Sequence, residues 1–254
     1  MRVKLTVAYD GTNYHGWQIQ NNALSVEEVL AGALRELLGE EIELTGASRT
    51  DAGVHALGNV AVFDTNTRIP AEKIALAVNQ RLPEDIRVMR SEEVSQSFHP
   101  RYCVSRKTYE YWITNAEIQQ PVKRLYSHFV YIPLNVERMK ETAQYFCGEH
   151  DFGAFCSAGS QVRSTVRSIY DLQIFQEGED IRIQITGNGF LYNMVRIIAG
   201  TLIEIGMGRR EPETVCQALR HADRNMAGPT APARGLRLLQ IEYEENRQEY
   251  GDDH

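Results

Sequence analysis

The chain has 254 residues, ordinary apolar content and a formal net charge of −7, which suits one large or two modest globular domains and argues against a protein that coats nucleic acid without discrimination. No basic start followed by an apolar core marks the amino terminus, and no apolar run reaches the roughly 18 to 20 residues that span a bilayer, so the expected address is the cytosol, with no membrane partner. The four cysteines, Cys103, Cys147, Cys156 and Cys216, show neither CxxC spacing nor a nearby HxxxH, which argues against a zinc site or a disulfide framework.

Val3, Leu5, Val7 and Tyr9 alternate as a strand. Ser25 and Glu28 make an S-x-x-E capping box ahead of a helix whose apolar positions, Val26, Val29, Leu30, Ala33, Leu34, Leu37 and Leu38, keep the helical period until Gly39 stops it. Strands are predicted over 42–47 and 59–63, a helix over 71–81 and a strand over 86–94, so the first half reads β-α-β-β-α-β. The second half repeats that order with strand 107–115, helix 135–147, strands 166–175 and 181–186, helix 190–205 and strand 236–243, plus an inserted helix over 211–221. The order predicts an α+β fold of two ferredoxin-like β-α-β-β-α-β halves, 1–104 and 105–254. Their antiparallel sheets would join around a central active-site cleft on the face left uncovered by the helices. No residue-level repeat accompanies the repeated order.

Charge is distributed unevenly. No Asp or Glu occurs between Glu93 and Glu110, Glu117 and Glu137, Asp151 and Asp171, or Asp223 and Glu242. These windows hold Arg101, Arg106, Lys107, Lys123, Arg124, Arg163, Arg167, Arg234 and Arg237, whereas acids gather in the tail "IEYEENRQEYGDDH". One basic face with an acidic back would give this pattern, and so would scattered solvated charges.

Three stretches carry possible chemistry. The connection over 45–58, "TGASRTDAGVHALG", is long beside the usual 2 to 5 residues of a hairpin loop, and such loops are often functional. Its Asp51 fits an Asx turn within Thr-Asp-Ala-Gly; equally, Ala52 and Gly53 would let a ligand approach the carboxylate while Arg49 and His55 supply positive or hydrogen-bonding groups. In "GNGFLYNMVRIIAGTLIEIG" Arg196 is the one charged residue between Arg182 and Glu204, on a helix apolar nearly all round, so it needs either a carboxylate partner or a route to the surface. Asp51 is the candidate partner, and pairing would keep the acid ionised and oriented. In "RKTYEYWITN", Tyr109 and Tyr111 share one strand face and Trp112 takes the other. The rings suit an ordinary core, or a stacking platform for a nucleobase beside the phosphate-binding cations Arg106 and Lys107.

Through these residues the chain resembles the tRNA pseudouridine synthase A family essentially end to end, in "YDGTNYHGWQ", "SRTDAGVHA", "SFHPRYCVSRKTYEYWI", "HDFGAFCS", "STVRSI", "GFLYNMVRIIAGTL" and "APARGL". The resemblance implies isomerisation of uridine to pseudouridine in the anticodon stem-loop of tRNA, with contacts to the tRNA body, by a homodimer. It implies Asp51 as catalytic nucleophile, Arg196 as its paired arginine, Tyr109 for base stacking or proton removal, and Arg49 as a hold on the flipped nucleotide. His55, Arg101, Arg106, Lys107 and Leu236 complete the expected substrate contacts. The reaction breaks a C–N glycosidic bond, turns the uracil and joins its C5 to the same sugar carbon, exchanging neither electrons nor phosphate, so no cofactor and no metal are expected. Two rival classes use overlapping features: a non-catalytic RNA-binding protein, which has no need of an arginine-paired carboxylate, and an N-glycosidic hydrolase, which normally wants a second acid or base.

Overall fold

The computed structural model describes residues 1–159 and 162–244; most of the acidic tail, 245–254, lies outside the described residues. β1 (Arg2–Tyr9) buries its alternate residues Val3, Leu5, Val7 and Tyr9, as the period of two requires. α1 (Val26–Leu38) begins where the Glu28 N–H donates to Ser25 Oγ at 3.3 Å, and it ends at Gly39, whose φ of 66° is the left-handed conformation that glycine adopts without strain. The first half continues through β2 (Thr45–Gly46), β3 (His55–Asp64), α2 (Ala71–Val78) and β4 (Ile86–Val94). The second half comprises β5 (Ser105–Asn115), β6 (His128–Val130), α3 (Val136–Ala143), β7 (Gly148–Asp151), β8 (Val166–Glu177), β9 (Asp180–Gly187), α4 (Met194–Gly206), α5 (Glu213–His221) and β10 (Leu236–Tyr243).

The ten strands among the described residues belong to one mostly antiparallel sheet in the order β4-β1-β3-β10-β5-β9-β8-β7, with β2 on β3 and β6 on β5. The halves meet where β10 lies parallel to β3, Arg237 opposite His55 and Leu238 opposite Ala56. The inner face carries Val3, Leu5 and Val7 from one half and Tyr109, Tyr111, Ile113, Ile181, Ile183 and Ile185 from the other, all buried in a single core under the helices. Burial of this many large apolar side chains at about 1.5 to 3 kcal/mol each dominates what holds the halves together. No helix among the described residues is long and apolar enough to cross a membrane.

Several predicted boundaries move, each for a local reason. The strand predicted over 42–47 pairs only at Thr45 and Gly46, and the one predicted from 59 begins at His55, so the irregular connection shrinks to 47–54. The helix predicted over 71–81 stops at Val78, because the Asn79 side chain turns to bond both the N–H and the C=O of Val88, each at 2.8 Å. The helix predicted from 190 starts at Met194, because Asn193 takes a φ of 61° that breaks the helical run. The helix predicted over 135–147 gives way after Ala143 to a 3-10 turn, Gln144–Phe146. The predicted position of the cleft is also corrected: it opens on the helix-bearing face, where Tyr109 and α4 lie, since the segments around 48–51 and 188–195 both stand on that side of the sheet.

Candidate active site

The segment 47–54 is anchored at almost every residue. Ala47 N–H donates to Val60 C=O at 2.7 Å, Thr50 C=O accepts from Trp17 N–H at 3.1 Å, and Gly53 N–H donates to Tyr14 C=O at 3.2 Å. Two buried side-chain bonds add to this: Thr50 Oγ1 to Tyr9 OH at 2.7 Å and Ser48 Oγ to Tyr109 OH at 2.8 Å. Gly53 turns the chain with a φ of 76°, and Val54 N–H closes the turn on Asp51 C=O at 3.1 Å. Backbone atoms therefore satisfy the turn, and the Asp51 carboxylate is left to face outward.

It faces a cleft of about 1100 Å³. Asp51 Oδ2 lies 3.2 Å from Arg196 Nη1, and the arginine is fixed from two further sides: Nη1 donates to Asn193 Oδ1 at 2.6 Å and Nε to Ala231 C=O at 2.8 Å. Asn193 Nδ2 in turn donates to Ser157 Oγ at 2.9 Å, so the left-handed residue ahead of α4 serves to position the guanidinium. Burial pushes the Asp51 carboxyl above the ordinary range, and the attraction and hydrogen bond of Arg196 pull it back only in part. The pair thus orients the acid without making it unusually acidic.

Tyr109 lies beside this pair, on the strand face shared with Tyr111, and is 6 % exposed. Phe190 stands edge-on to its ring, with centroids 5.1 Å apart. Burial, partly opposed by the bond to Ser48, pushes the phenol up to about 12. Arg49 is exposed on the cleft wall and makes no ion pair among the described residues. Arg101 Nε donates to Gly46 C=O at 2.7 Å, and Lys107 Nζ donates to Ala47 C=O at 3.0 Å, so two cations rest on consecutive carbonyls just ahead of the Asp51 turn. Leu236 lines the cleft from β10, opposite Tyr111.

Two expected contacts lie elsewhere. Arg106 is one residue from Lys107, so strand alternation sends it to the opposite face, where its guanidinium covers the Tyr170 ring at 5.0 Å. His55 is the first residue of β3 and is directed away from the Asp51 cleft. Its Nδ1 stands 3.0 Å from Asp10 Oδ1 and accepts from Gly11 N–H at 3.1 Å, while Nε2 lies 3.1 Å from Leu125 C=O. Sequence reasoning missed Ser48, Phe190 and Asn193 as parts of the site, and Arg167 as a cleft residue. Asn193 stands three residues before Arg196, one helical turn, a spacing that brings side chains together. No comparable signal marks Phe190.

The family described as tRNA pseudouridine synthase matches residues 5–103 and 142–244. This chain belongs to that family. It is 52 % identical over 241 residues to the tRNA pseudouridine synthase A of a Thermoanaerobacter species, covering 95 % of this chain and 99 % of that protein. The protein of that name from Ruminiclostridium cellulolyticum is also 52 % identical, over 243 residues, and that of Brevibacillus brevis is 43 % identical over 242, each match covering 95 % of this chain and 99 % of the relative. The stretches "SRTDAGVHA" and "GFLYNMVRIIAGTL" supply, respectively, Asp51 and Arg196, which the fold brings together across 145 residues of chain.

Proposed function

We propose that this cleft isomerises uridine to pseudouridine in the anticodon arm of tRNA, with Asp51 as nucleophile. The observation that carries the reading is the Asp51–Arg196 pair: a single carboxylate, held at 3.2 Å by an arginine that is itself fixed, lines a cleft whose other charged residues are the cations Arg49, Arg101, Lys107 and Arg167. A hydrolase that activates water would want a second carboxyl group, and among the described residues lining the cleft Asp51 stands alone. A passive RNA-binding surface would gain nothing from a half-buried acid among phosphate-seeking groups.

In the reaction the glycosidic C–N bond breaks, the uracil turns within the pocket, and C5 bonds to the sugar carbon; the proton leaving C5 is balanced by one gained at N1. Asp51 acts at the sugar or the base. Arg196 holds its orientation, and Tyr109 offers a ring against the uracil. A phenol pushed up to about 12 keeps its proton at neutral pH, which favours stacking over proton removal for Tyr109. Arg49, Arg101, Lys107 and Leu236 complete the substrate contacts. A strand order of β4-β1-β3-β2 in one half and β10-β5-β9-β8 in the other supports two ferredoxin-like units, and the family resemblance supports a homodimer.

The test is incubation of unmodified tRNA with the purified protein, followed by carbodiimide mapping and assay of free base. Pseudouridine at an anticodon-arm uridine without uracil release is the expected result; released uracil would indicate a hydrolase, and unchanged tRNA would leave only binding.

A further inference from the structure

One face of β5 sets out the cleft in order. Tyr109 lines the cleft with Asp51, and Lys107 lines it with Arg101 and Arg167. Each pair of residues advances about 7 Å along the strand, so Lys107 stands one such step beyond the ring proposed to stack the uracil. Strand register brings Arg167 there too: Lys107 pairs with Gly187 on β9, Gly187 with Ile169 on β8, and Arg167 precedes Ile169 by two. Gly189 lies alongside that side chain, a Cβ there being in ordinary van der Waals contact with Arg167 Nε at 3.7 Å.

Arg101, Lys107 and Arg167 share a condition met also by Arg49 on the cleft wall and, outside the cleft, by Arg87, Arg124, Arg224 and Arg234: none has a carboxylate partner among the described residues. Elsewhere Arg2, Lys4, Lys123, Arg138 and Arg210 each meet a carboxylate, as does Arg196. Arg101, Lys107 and Arg167 line one cleft. Their protein partners are backbone carbonyls: Gly46 for Arg101, Ala47 for Lys107, and Ser164 and Val166, at 3.0 and 2.6 Å, for Arg167. N–H groups remain on each.

We propose that Arg101, Lys107 and Arg167 form a phosphate pocket that grips a phosphodiester flanking the uridine bound at Tyr109; the proposal rests on the functional reading above. A dianionic or monoanionic oxygen cluster is the ligand that three converging, unneutralised cations accept, and the one-step offset from Tyr109 matches the backbone of a nucleotide whose base has turned into the cleft. Burial, reinforced by repulsion from Arg101 and Arg167, lowers Lys107 to about 8, the condition of an amine held ready for an anion. Across the sheet Lys107 faces only Gly187 on β9 and Ile241 on β10, and the charged or titratable groups around it are Arg101, Arg167 and Tyr109, with Asp51 as the acid of the cleft. Affinity through this pocket therefore weakens as pH rises through about 8, where Lys107 loses its proton.

The experiment places a neutral methylphosphonate at single linkages on either side of the uridine identified by mapping, in intact tRNA, and measures binding to Asp51→Asn protein with and without Arg167→Gln. At one linkage the neutral group should weaken binding to the parent about tenfold and barely affect the Arg167→Gln protein, whose salt dependence should be shallower by about one charge. Lys107→Arg should hold its affinity from about pH 7 to about pH 9.5 while the parent weakens. Equal loss in parent and Arg167→Gln at every flanking linkage, from an enzyme active on tRNA, would remove the pocket and leave the isomerase reading intact. A wild-type chain inactive on tRNA removes both. A pH profile unchanged by Lys107→Arg takes Lys107 out of the pocket.

Discussion

Two carboxylates stand where the halves of the molecule meet, and they are treated in opposite ways. Asp10 closes a smaller hollow of about 330 Å³ together with His55 and Tyr126. Its Oδ1 accepts from Thr12 N–H at 3.0 Å and Thr12 Oγ1 at 2.6 Å and lies 3.0 Å from His55, while Oδ2 accepts from Tyr126 OH at 2.7 Å. Burial opposes its ionisation, yet these bonds and the nearby histidine hold the Asp10 carboxyl below the usual range. Asp51 has one side-chain partner, Arg196, and burial leaves it above that range. A carboxylate held by three donors fastens structure; one that is aimed but undersupplied retains capacity for a substrate. The histidine expected to assist Asp51 belongs to the fastened cluster, which joins the first half to Leu125 and Tyr126 of the second.

The largest separation of the two acids is in turnover. Asp51→Asn should lower pseudouridine formation at least about 1,000-fold, whereas Asp10→Asn should stay within about threefold of wild type at a temperature where it is folded. Stability should move the other way. A raised folded pKa means that ionising Asp51 opposes folding, a penalty absent below the unfolded value near pH 4 and fully present above the folded one. Asp51→Asn should therefore raise the melting temperature slightly at neutral pH and lose that gain below about pH 4. Substantial turnover by clean Asp51→Asn protein would remove the central assignment.

Arg196→Met comes next, with an expected loss of about 100-fold in single-turnover rate because the acid is no longer oriented. The same substitution should destabilise the wild type more than it destabilises the Asp51→Asn protein, by at least about 1 kcal/mol, since removing one partner strands the other's charge. Additive changes in melting free energy would say that the 3.2 Å contact is geometric only.

The third effect is confined to stability. Asp10→Asn should cost about 1 to 3 kcal/mol at neutral pH by weakening bonds to Thr12 and Tyr126. Because the folded pKa of Asp10 is depressed, its contribution is present above the unfolded value and lost as pH falls through the folded one. Acid melting curves should accordingly be flatter below about pH 4 in Asp10→Asn than in wild type. Parallel curves would place the strength of this junction in packing instead.

What could be read from the sequence follows the range of the forces involved. α1 was legible because Ser25 and Gly39 announce its ends locally, and the Asp51–Arg196 pairing because a charge set within a long apolar stretch demands a partner. The start of α4 was not legible, since Asn193 gives up helical geometry for Ser157 and Arg196, partners settled only by the tertiary fold. Arg106 lies outside the cleft because of the two-residue strand period, which places Lys107 in the cleft and its neighbour over Tyr170. The helix-bearing side of the cleft was hidden for a different reason: element order fixes strand neighbours but says little about where the connecting segments 47–54 and 188–193 come to rest.

The smallest effect concerns how a base reaches Asp51. A stacked or paired uridine keeps its glycosidic bond away from a carboxylate set in a cleft, so the nucleotide must be extruded, at a cost of a few kcal/mol. Arg49 is placed to offset part of that: it stands two residues before Asp51, is exposed on the cleft wall, and has no ion-pair partner among the described residues to hold it back. Tyr109 acts later, since its buried ring, fixed through Ser48 and Phe190, meets the uracil only after extrusion. Arg49→Ala should then slow single-turnover modification by about tenfold on a stably paired uridine and only about twofold on one placed opposite a mismatch, where part of the extrusion cost is already met. Tyr109→Leu should slow both alike, removing a stacking contact worth about 1 to 3 kcal/mol whichever way the base arrives. Equal loss on paired and mismatched tRNA from Arg49→Ala would assign Arg49 to balancing charge beside Asp51, and the extrusion step would then need another agent from the cleft wall.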